Sequence, residues 1–399
     1  MRCLVGIDDT DSSRGFCTTY LAYRIACDLR PDVVVLPYPG LVRLNPNIPF
    51  KTRGNAAVRL LVEARDADLA FGLITAKVKE LSDVGGGANS GVVFIDDPAR
   101  ASRFEPLYLQ ALTGLISPHR VRRLVREFGA RSLELGNGMG LVGAASSLGF
   151  STGFDHTYEL IAYRRKESWG TRRQIDGLSV RDMDTRTFPH TFNNFDYQKR
   201  KVLIAPHGPD PVFAGVRGDS PRAVIGAFGM VRYDEPLQGH MVYFSNQHTD
   251  AHLRRELEWK VYSSGWLDGT VREVRVGAGG HVYLSLSAEG RDVPAAAYEP
   301  TGDLRRTARL LCPGDRVRAF GGVRRGTSLH PAVLNLEKFE FRSPAWARRG
   351  LPRGTYIASP RANRHLTKPL IRYGREDCTS EAEVEGWFAG APMRPLVRV

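Results

Sequence analysis

Several things are scarce in this 399-residue chain, and each scarcity removes a class of protein. Cysteine is rare: Cys3, Cys17, Cys27, Cys312 and Cys378 stand apart, with no C-x₂-C pair among them. A tetrahedral zinc site usually draws on two such pairs, and an odd number of thiols argues against a disulfide scaffold. No apolar run is long enough to span a membrane. Met1-Arg2-Cys3 leads directly into a strand rather than a signal peptide, so the expected location is the cytoplasm. The P-loop pattern G-x₄-G-K-[ST], a well-placed G-x-S-x-G nucleophile elbow and H-E-x-x-H are missing. His156, His190, His207 and His240 are scattered and read as structural or surface residues. Acid is in deficit: 43 Asp and Glu face 56 Lys and Arg, for a net charge of +13. Polyanions, chiefly nucleic acid, are the first partners to consider, against the plainer reading of a merely basic protein.

What is present begins at once. Leu4-Val5-Gly6-Ile7 reads as a short buried strand, and Asp8-Asp9-Thr10-Asp11 follows it. Three carboxylates at a strand end repel one another unless a cation or a ring of donors neutralises them. Oxygen ligands of this kind suit Mg²⁺. A turn and helix cap built from Asp and Ser is the alternative.

With 42% hydrophobic residues the chain can build real cores, and its length implies two to four domains. Residues 1–150 alternate strands and helices: a helix over 15–29 capped by Asp11, Ser12 or Ser13, strands over 32–36, 57–63 and 91–96, a helix over 69–81 and a basic helix over 118–128. Residues 151–262 read as a small α+β unit, with strands over 158–163 and 201–205 and a helix over 221–228 opened by Asp219-Ser220. Residues 263–341 hold short strands over 269–276, 281–286, 316–319 and 333–341, broken by Gly and Pro, which fits a barrel of the OB type. Val282 and Leu284 fall on one face there, Tyr283 and Ser285 on the other. Residues 342–375 contain nine Lys and Arg and no Asp or Glu, interleaved with Trp346, Tyr356 and Tyr373. Cations neutralise phosphates and aromatic faces stack on bases, so Arg342, Arg348, Arg349, Arg353, Arg361, Arg364, Lys368 and Arg372 are candidate RNA contacts, unless this is simply a solvated tail. The fold class is multidomain α/β and α+β with a C-terminal β-barrel.

Two further motifs carry chemistry. Lys51-Thr52-Arg53-Gly54-Asn55 combines phosphate-holding cations with a glycine that lets backbone N–H groups approach. Gly85-Gly86-Gly87 with Asn89, between a helix and an apolar strand, reads as a phosphate or ribose cradle or as an ordinary loop. Thr18 and Thr19 fall near the start of the first helix, where a phosphate is favoured electrostatically, but from the residues alone helix-surface or core threonines are the plainer reading. Metal, cationic clamp and cradle together make the parts list for nucleotide-triphosphate chemistry without a P-loop.

These segments closely resemble the archaeal isoleucine-tRNA 2-agmatinylcytidine synthetase family. The resemblance is carried by Gly6-Ile7-Asp8-Asp9-Thr10-Asp11-Ser12, Cys17-Thr18-Thr19-Tyr20, Arg43-Leu44-Asn45-Pro46-Asn47-Ile48-Pro49, the Lys51–Asn55 loop, the glycine run and Asp155-His156-Thr157-Tyr158-Glu159. Leu334-Asn335-Leu336-Glu337-Lys338 and Arg364-His365-Leu366-Thr367-Lys368-Pro369 extend it nearly to the end of the chain. The resemblance implies a kinase-like domain, a ferredoxin-like domain and an OB-fold. It implies an ATP-dependent ligation in which the oxygen at carbon 2 of the wobble cytidine is phosphorylated and agmatine's amine displaces it. ATP goes to AMP and phosphate, and the CAU anticodon of isoleucine tRNA then reads AUA. Thr18 matches the family's autophosphorylated threonine. Asp8, Asp9 and Asp11 match its Mg²⁺ and phosphate cluster, and Lys51, Thr52, Arg53, Gly54 and Asn55 its nucleotide loop. Gly85, Gly86, Gly87 and Asn89 are assigned to ATP contact. Asp155 and Glu159 are guesses for the guanidinium of agmatine.

One departure stands out. The family's zinc ribbon, with its two C-x₂-C pairs, sits before the R-H-L-T-K-P tail, and this chain has no such pairs there. No zinc is expected, and residues 342–399 form a basic segment in its place. Two other readings remain at this level: a different RNA or small-molecule kinase on the same scaffold, and a tRNA-binding protein without ligation. The oligomeric state is not legible.

Overall fold

The computed structural model describes residues 1–343 except 13–14, 52–53, 198, 300 and 329, and then residues 354–357 and 386–390. Thr52, Arg53, Arg348, Arg349, Arg353, Arg361, Arg364, Lys368 and Arg372 lie outside the described residues.

One large sheet organises the first 250 or so residues. Its first half contains β1 (Arg2–Asp8), β2 (Val33–Val35), β3 (Gly40–Arg43), β4 (Ala56–Ala64), β5 (Gly91–Ile95) and β6 (Arg131–Glu134), with α1 (Thr18–Asp28), α2 (Ala67–Leu81), α3 (Glu105–Thr113), α4 (Pro118–Glu127) and α5 (Gly140–Leu148). Its second half contains β7 (Thr157–Arg164), α6 (Gly177–Thr187), β8 (Thr191–Phe192), the ribbon β9 (Phe195–Asp196) and β10 (Lys201–Val202), β11 (Val212–Gly218), α7 (Pro221–Phe228) and β12 (Leu237–Ser245). The order β6-β5-β1-β4-β3-β12-β7-β11-β8 makes one continuous surface. The halves join where β12 runs parallel to β3, Phe244 opposite Gly40.

β1 is buried along nearly its whole length, as a central strand covered on both faces must be. Helix α5 lies directly on it: a Cβ at Gly6 would sit 1.9 Å from the Ala144 carbonyl oxygen. α5, with the sequence G-L-V-G-A-A-S-S-L, is buried on almost every side and has no polar face, so helical periodicity cannot reveal it. The first helix starts at Thr18 rather than 15, because Gly15 (φ 125°) and Phe16 (φ 71°) are held in left-handed conformations. Its N-cap is Cys17, which makes no side-chain cap; Asp11 and Ser12 do not cap it. α7 opens at Ser220, whose hydroxyl accepts from the Ala223 amide, as the sequence implied.

The C-terminal sheet contains β13 (Ser264–Val276), β14 (Val282–Ala288), β15 (Arg291–Ala297), α8 (Asp303–Ala308) beside it, β16 (Arg316–Arg324), β17 (Val333–Ser343) and β18 (Gly354–Ile357). Additional parallel pairing of β15 with β17 closes the pairings of β13–β17 into a cycle. Val282, Leu284 and Leu286 alternate into its core as expected. β15 carries no strand pattern in sequence because Pro294 and three alanines dilute it; Pro294 sits where β15 is mainly paired on one side. A final strand, β19 (Phe388–Ala389), returns to the first sheet beside β12.

The Arg43–Pro49 motif is the joint between the sheets. Asn45 Nδ2 donates to the Tyr262 carbonyl (2.7 Å) and Asn47 Nδ2 to that of Val323 (2.9 Å). His252 Nε2 meets Glu337 Oε2 at 2.9 Å, buried, and Lys338 Nζ meets Asp250 at 3.0 Å. No helix among the described residues is long and apolar enough to cross a membrane.

Candidate functional site

The acidic loop leaves β1 at the joint between two recesses. Asp9 takes φ 56°, and its carbonyl accepts from Ser90 Oγ at 3.1 Å. Ser12 Oγ donates to Asp83 Oδ2 (2.6 Å), and Thr10 Oγ1 donates to Thr18 Oγ1 (3.1 Å). This turn separates the three carboxylates. Asp8 and Asp9 line one recess, while Asp11 and Thr18 line another. Among the described residues no three His, Cys, Asp or Glu side chains converge as a metal-ligand set, so the ring of three expected from spacing does not form. Two carboxylates on one recess still fit Mg²⁺, which commonly takes one or two carboxylates and completes its shell with phosphate oxygens and water.

The first recess, open to solvent, is lined by Asp8, Asp9, Lys51 and Asn55 on its polar side and by Ile48, Phe50 and Ile116 on its apolar side. Asp8 is pressed against Gly143, where a Cβ would stand 1.8 Å from Oδ2. Burial pushes the Asp8 pKa well above the carboxylate range, reinforced by Asp9 and then Asp11. Burial lowers Lys51, with Arg324 of the C-terminal sheet adding to the effect. Asn55 is held at φ 48° by its own bond to the Asn45 carbonyl (2.8 Å).

The second recess is a solvent-open cleft of about 2580 Å³ between the two halves of the large sheet. Asp11, Thr18, Arg43, Glu159, Asp210 and Arg217 face it. Glu159 is buried; Oε1 meets Arg217 Nη2 at 3.0 Å, and Oε2 has no partner. Arg43 Nε donates to Gln247 Oε1 (3.0 Å), and burial lowers its pKa while Glu159 opposes the shift.

Other expected residues lie elsewhere. Asp155 pairs with Arg254 and does not line the cleft. Gly85 and Gly86 belong to a single 3₁₀ turn closed by Gly87 at φ 102°, and Asn89 ties that turn to the backbone: Oδ1 accepts from the Asn137 amide (3.0 Å) and Nδ2 donates to the Gly87 carbonyl (2.9 Å). None of the four lines either recess; the turn itself requires the left-handed glycine. Arg342 is exposed and pairs with Glu340 at 2.7 Å. Arg217 and Asp210 were missed from sequence. The available signal was a lone Arg in the apolar F-A-G-V-R-G and a lone Glu in T-Y-E-L-I-A-Y, which pair across β11 and β7.

Comparison with known proteins decides the kinship. The TiaS TCKD domain model matches residues 4–137, and the TiaS FLD domain model matches residues 138–252. The isoleucine-tRNA 2-agmatinylcytidine synthetase TiaS of Cenarchaeum symbiosum is 36% identical, over 96% of this chain and 95% of its own length. The chain belongs to the TiaS family. A crystal structure of TiaS with its isoleucine tRNA and ATP superposes with a TM-score of 0.86 at 34% identity, covering 94% of this chain and 98% of that one. A second, of TiaS with the tRNA, AMPCPP and agmatine, gives 0.84 at 33%, covering 97% and 98%. The mixed α/β architecture with several sheets is thus that of TiaS.

Proposed function

We propose that this chain performs the reaction its family is named for: ATP-dependent joining of agmatine to carbon 2 of the wobble cytidine of isoleucine tRNA with the CAU anticodon. The observation that carries the site assignment is the acidic loop acting as a partition. A carboxylate- and lysine-lined recess lies on one side, and a hydroxyl facing a wide cleft lies on the other. That arrangement suits a phosphoryl donor passing its group to an acceptor.

At the first recess Lys51 would hold ATP phosphates by charge, and Phe50 and Ile116 offer apolar surface for its base. Asp8 and Asp9 would hold Mg²⁺, which there supplies charge neutralisation for the transferred phosphoryl group. Thr18, at the first position of α1, accepts phosphate where the helix dipole favours it. The unpartnered oxygen of Glu159 offers the guanidinium of agmatine an acceptor in the cleft. In domain terms, residues 1–150 are kinase-like and bind ATP, and residues 151–262 are ferredoxin-like. Residues 263–341 form an OB-fold for tRNA; the closed cycle of β13–β17 supports that reading. Residues 342–399 stand in for the zinc ribbon, gripping tRNA through their cations without zinc. The cytoplasm, where tRNA and ATP meet, is the working compartment.

The test mixes the protein with ATP, Mg²⁺, labelled agmatine and a CAU-anticodon isoleucine tRNA transcript. Label in the tRNA with release of AMP is the expected result. ATP consumption without label would indicate another kinase, and binding with neither a protein that has lost ligation.

A further inference from the structure

The C-terminal strand sits in an unexpected place. Along one edge β12 pairs with β7 over nearly its whole length, but on the other it meets β3 only at Phe244 and Ser245. β19 fills part of the remaining edge, with Ala389 opposite His240 and Phe388 opposite Met241. The Val242 amide donates to the Trp387 carbonyl at 2.8 Å. Trp387 packs against both hydrophobic clusters of the large sheet. Gly239 is cut to receive the strand: a Cβ there would lie 1.8 Å from the Ala389 carbonyl oxygen and 2.5 Å from the Tyr23 hydroxyl.

A chain of aromatic contacts runs from this strand to the acceptor threonine. The Phe388 ring lies 5.8 Å from that of Tyr23, which lies 4.6 Å from Tyr163. Tyr23 donates to the Gln238 carbonyl at 3.0 Å, in the same bend of β12. Tyr163 and Tyr243, buried and 2.8 Å apart at their hydroxyls, both bond the Thr19 carbonyl, at 3.0 and 2.8 Å. That carbonyl belongs to the first turn of α1, next to Thr18. Meanwhile β18 pairs with β17 of the C-terminal sheet. In sequence, Arg361, Arg364, Lys368 and Arg372 therefore fall between two strand anchors, one on each sheet.

We propose that β19 is a catalytic-side anchor: it ties the end of the basic segment to the large sheet and, through Tyr23, Tyr163 and Tyr243, positions the first turn of α1. Phe388, Tyr163 and Tyr243 are positioning residues, since none faces the cleft. The consequence for catalysis rests on the reading of Thr18 as phosphoryl acceptor; the positioning itself does not.

Full-length Phe388→Ala, Phe388→Leu and Tyr163→Phe proteins test it by two readouts. Hydrogen exchange at the amides of residues 18–22 reports positioning directly. Phe388→Ala and Tyr163→Phe should speed exchange there by about tenfold while leaving the C-terminal sheet unchanged, and Phe388→Leu should restore protection. Labelled phosphate transfer from ATP to the protein should fall about tenfold in maximal rate, with KM for ATP held, for the first two variants. Unchanged exchange at residues 18–22 in either folded variant, Phe388→Ala or Tyr163→Phe, overturns the anchor. Should Phe388→Ala fail to fold, Tyr163→Phe, which removes a single oxygen, decides. If Thr18→Ala still takes up phosphate, the acceptor reading falls while the exchange result continues to decide the anchor.

Discussion

Charge is handled in opposite ways by the two sheets. In the large sheet the charged groups that matter are few and withdrawn from solvent: half-buried Asp8 against Gly143, buried Glu159 beside Arg217, and Arg164, whose Nε and Nη2 donate to Glu235 at 2.6 and 2.7 Å with almost no exposure. In the C-terminal sheet most cations ride at or near the surface, though Lys338 pairs with Asp250 at the joint and Arg318 is tied to Asp268. Arg318 lies 3.9 Å from the centre of the Trp266 ring, Arg275 lies over Tyr283, and Arg316, Arg324 and Arg342 face solvent. Desolvated charges act strongly at fixed points, which is what phosphoryl chemistry requires. Exposed charges act weakly and add up, which is what holding a polyanion requires. On the proposed reading, the two sheets divide chemistry from grip.

That division can be broken or sharpened by substitution. The largest expected effect is on stability at Arg164, where Arg164→Ala strands Glu235 in the core and should cost about 3–5 kcal/mol in denaturant unfolding. Asp8→Asn comes next: agmatine incorporation at saturating tRNA should fall by about 10²–10³, with tRNA affinity unchanged. A smaller effect concerns pH. Burial holds the His240 pKa below its usual 6.5, although a bond to the Gly386 carbonyl pulls the other way. The unfolded chain thus takes up a proton before the folded chain does. The stabilisation is complete above pH 6.5 and is lost as the pH falls through the folded-state value. The slope in that window should be at most about 1.4 kcal/mol per pH unit and should vanish in His240→Asn. Smallest is Arg318→Ala, with under about 1 kcal/mol of stability lost and a tRNA-binding salt slope lower by about one.

The sequence was most readable where local pattern and tertiary need coincide. β14 alternates cleanly, α7 carries its Ser220 cap, and the acidic cluster does follow directly on a buried strand. It was least readable where tertiary packing decides. α5 has no polar face, and β3 is only four residues long, between proline-rich flanks that read as loop. β19 lies in a short apolar run whose partner is about 150 residues away. The site shows the same contrast. The three aspartates read as one cluster because they are adjacent in sequence, yet the left-handed turn at Asp9 sends them to two recesses. The glycine run carries two meanings in sequence, cradle or loop, because glycine marks both close approach and turns; in the structure it forms a turn that lines neither recess. The closest approaches occur at Gly6, Gly143 and Gly239, isolated glycines whose meaning depends on what packs over them.

The most direct test of the division of labour is single-turnover agmatine incorporation measured against tRNA concentration for two proteins, Asp8→Asn and the triple variant Arg275→Ala, Arg316→Ala, Arg318→Ala. The prediction is that Asp8→Asn lowers the plateau rate and leaves the half-saturating tRNA concentration alone, while the triple variant raises that concentration and leaves the plateau alone. A triple variant whose plateau falls with its affinity unchanged would contradict it.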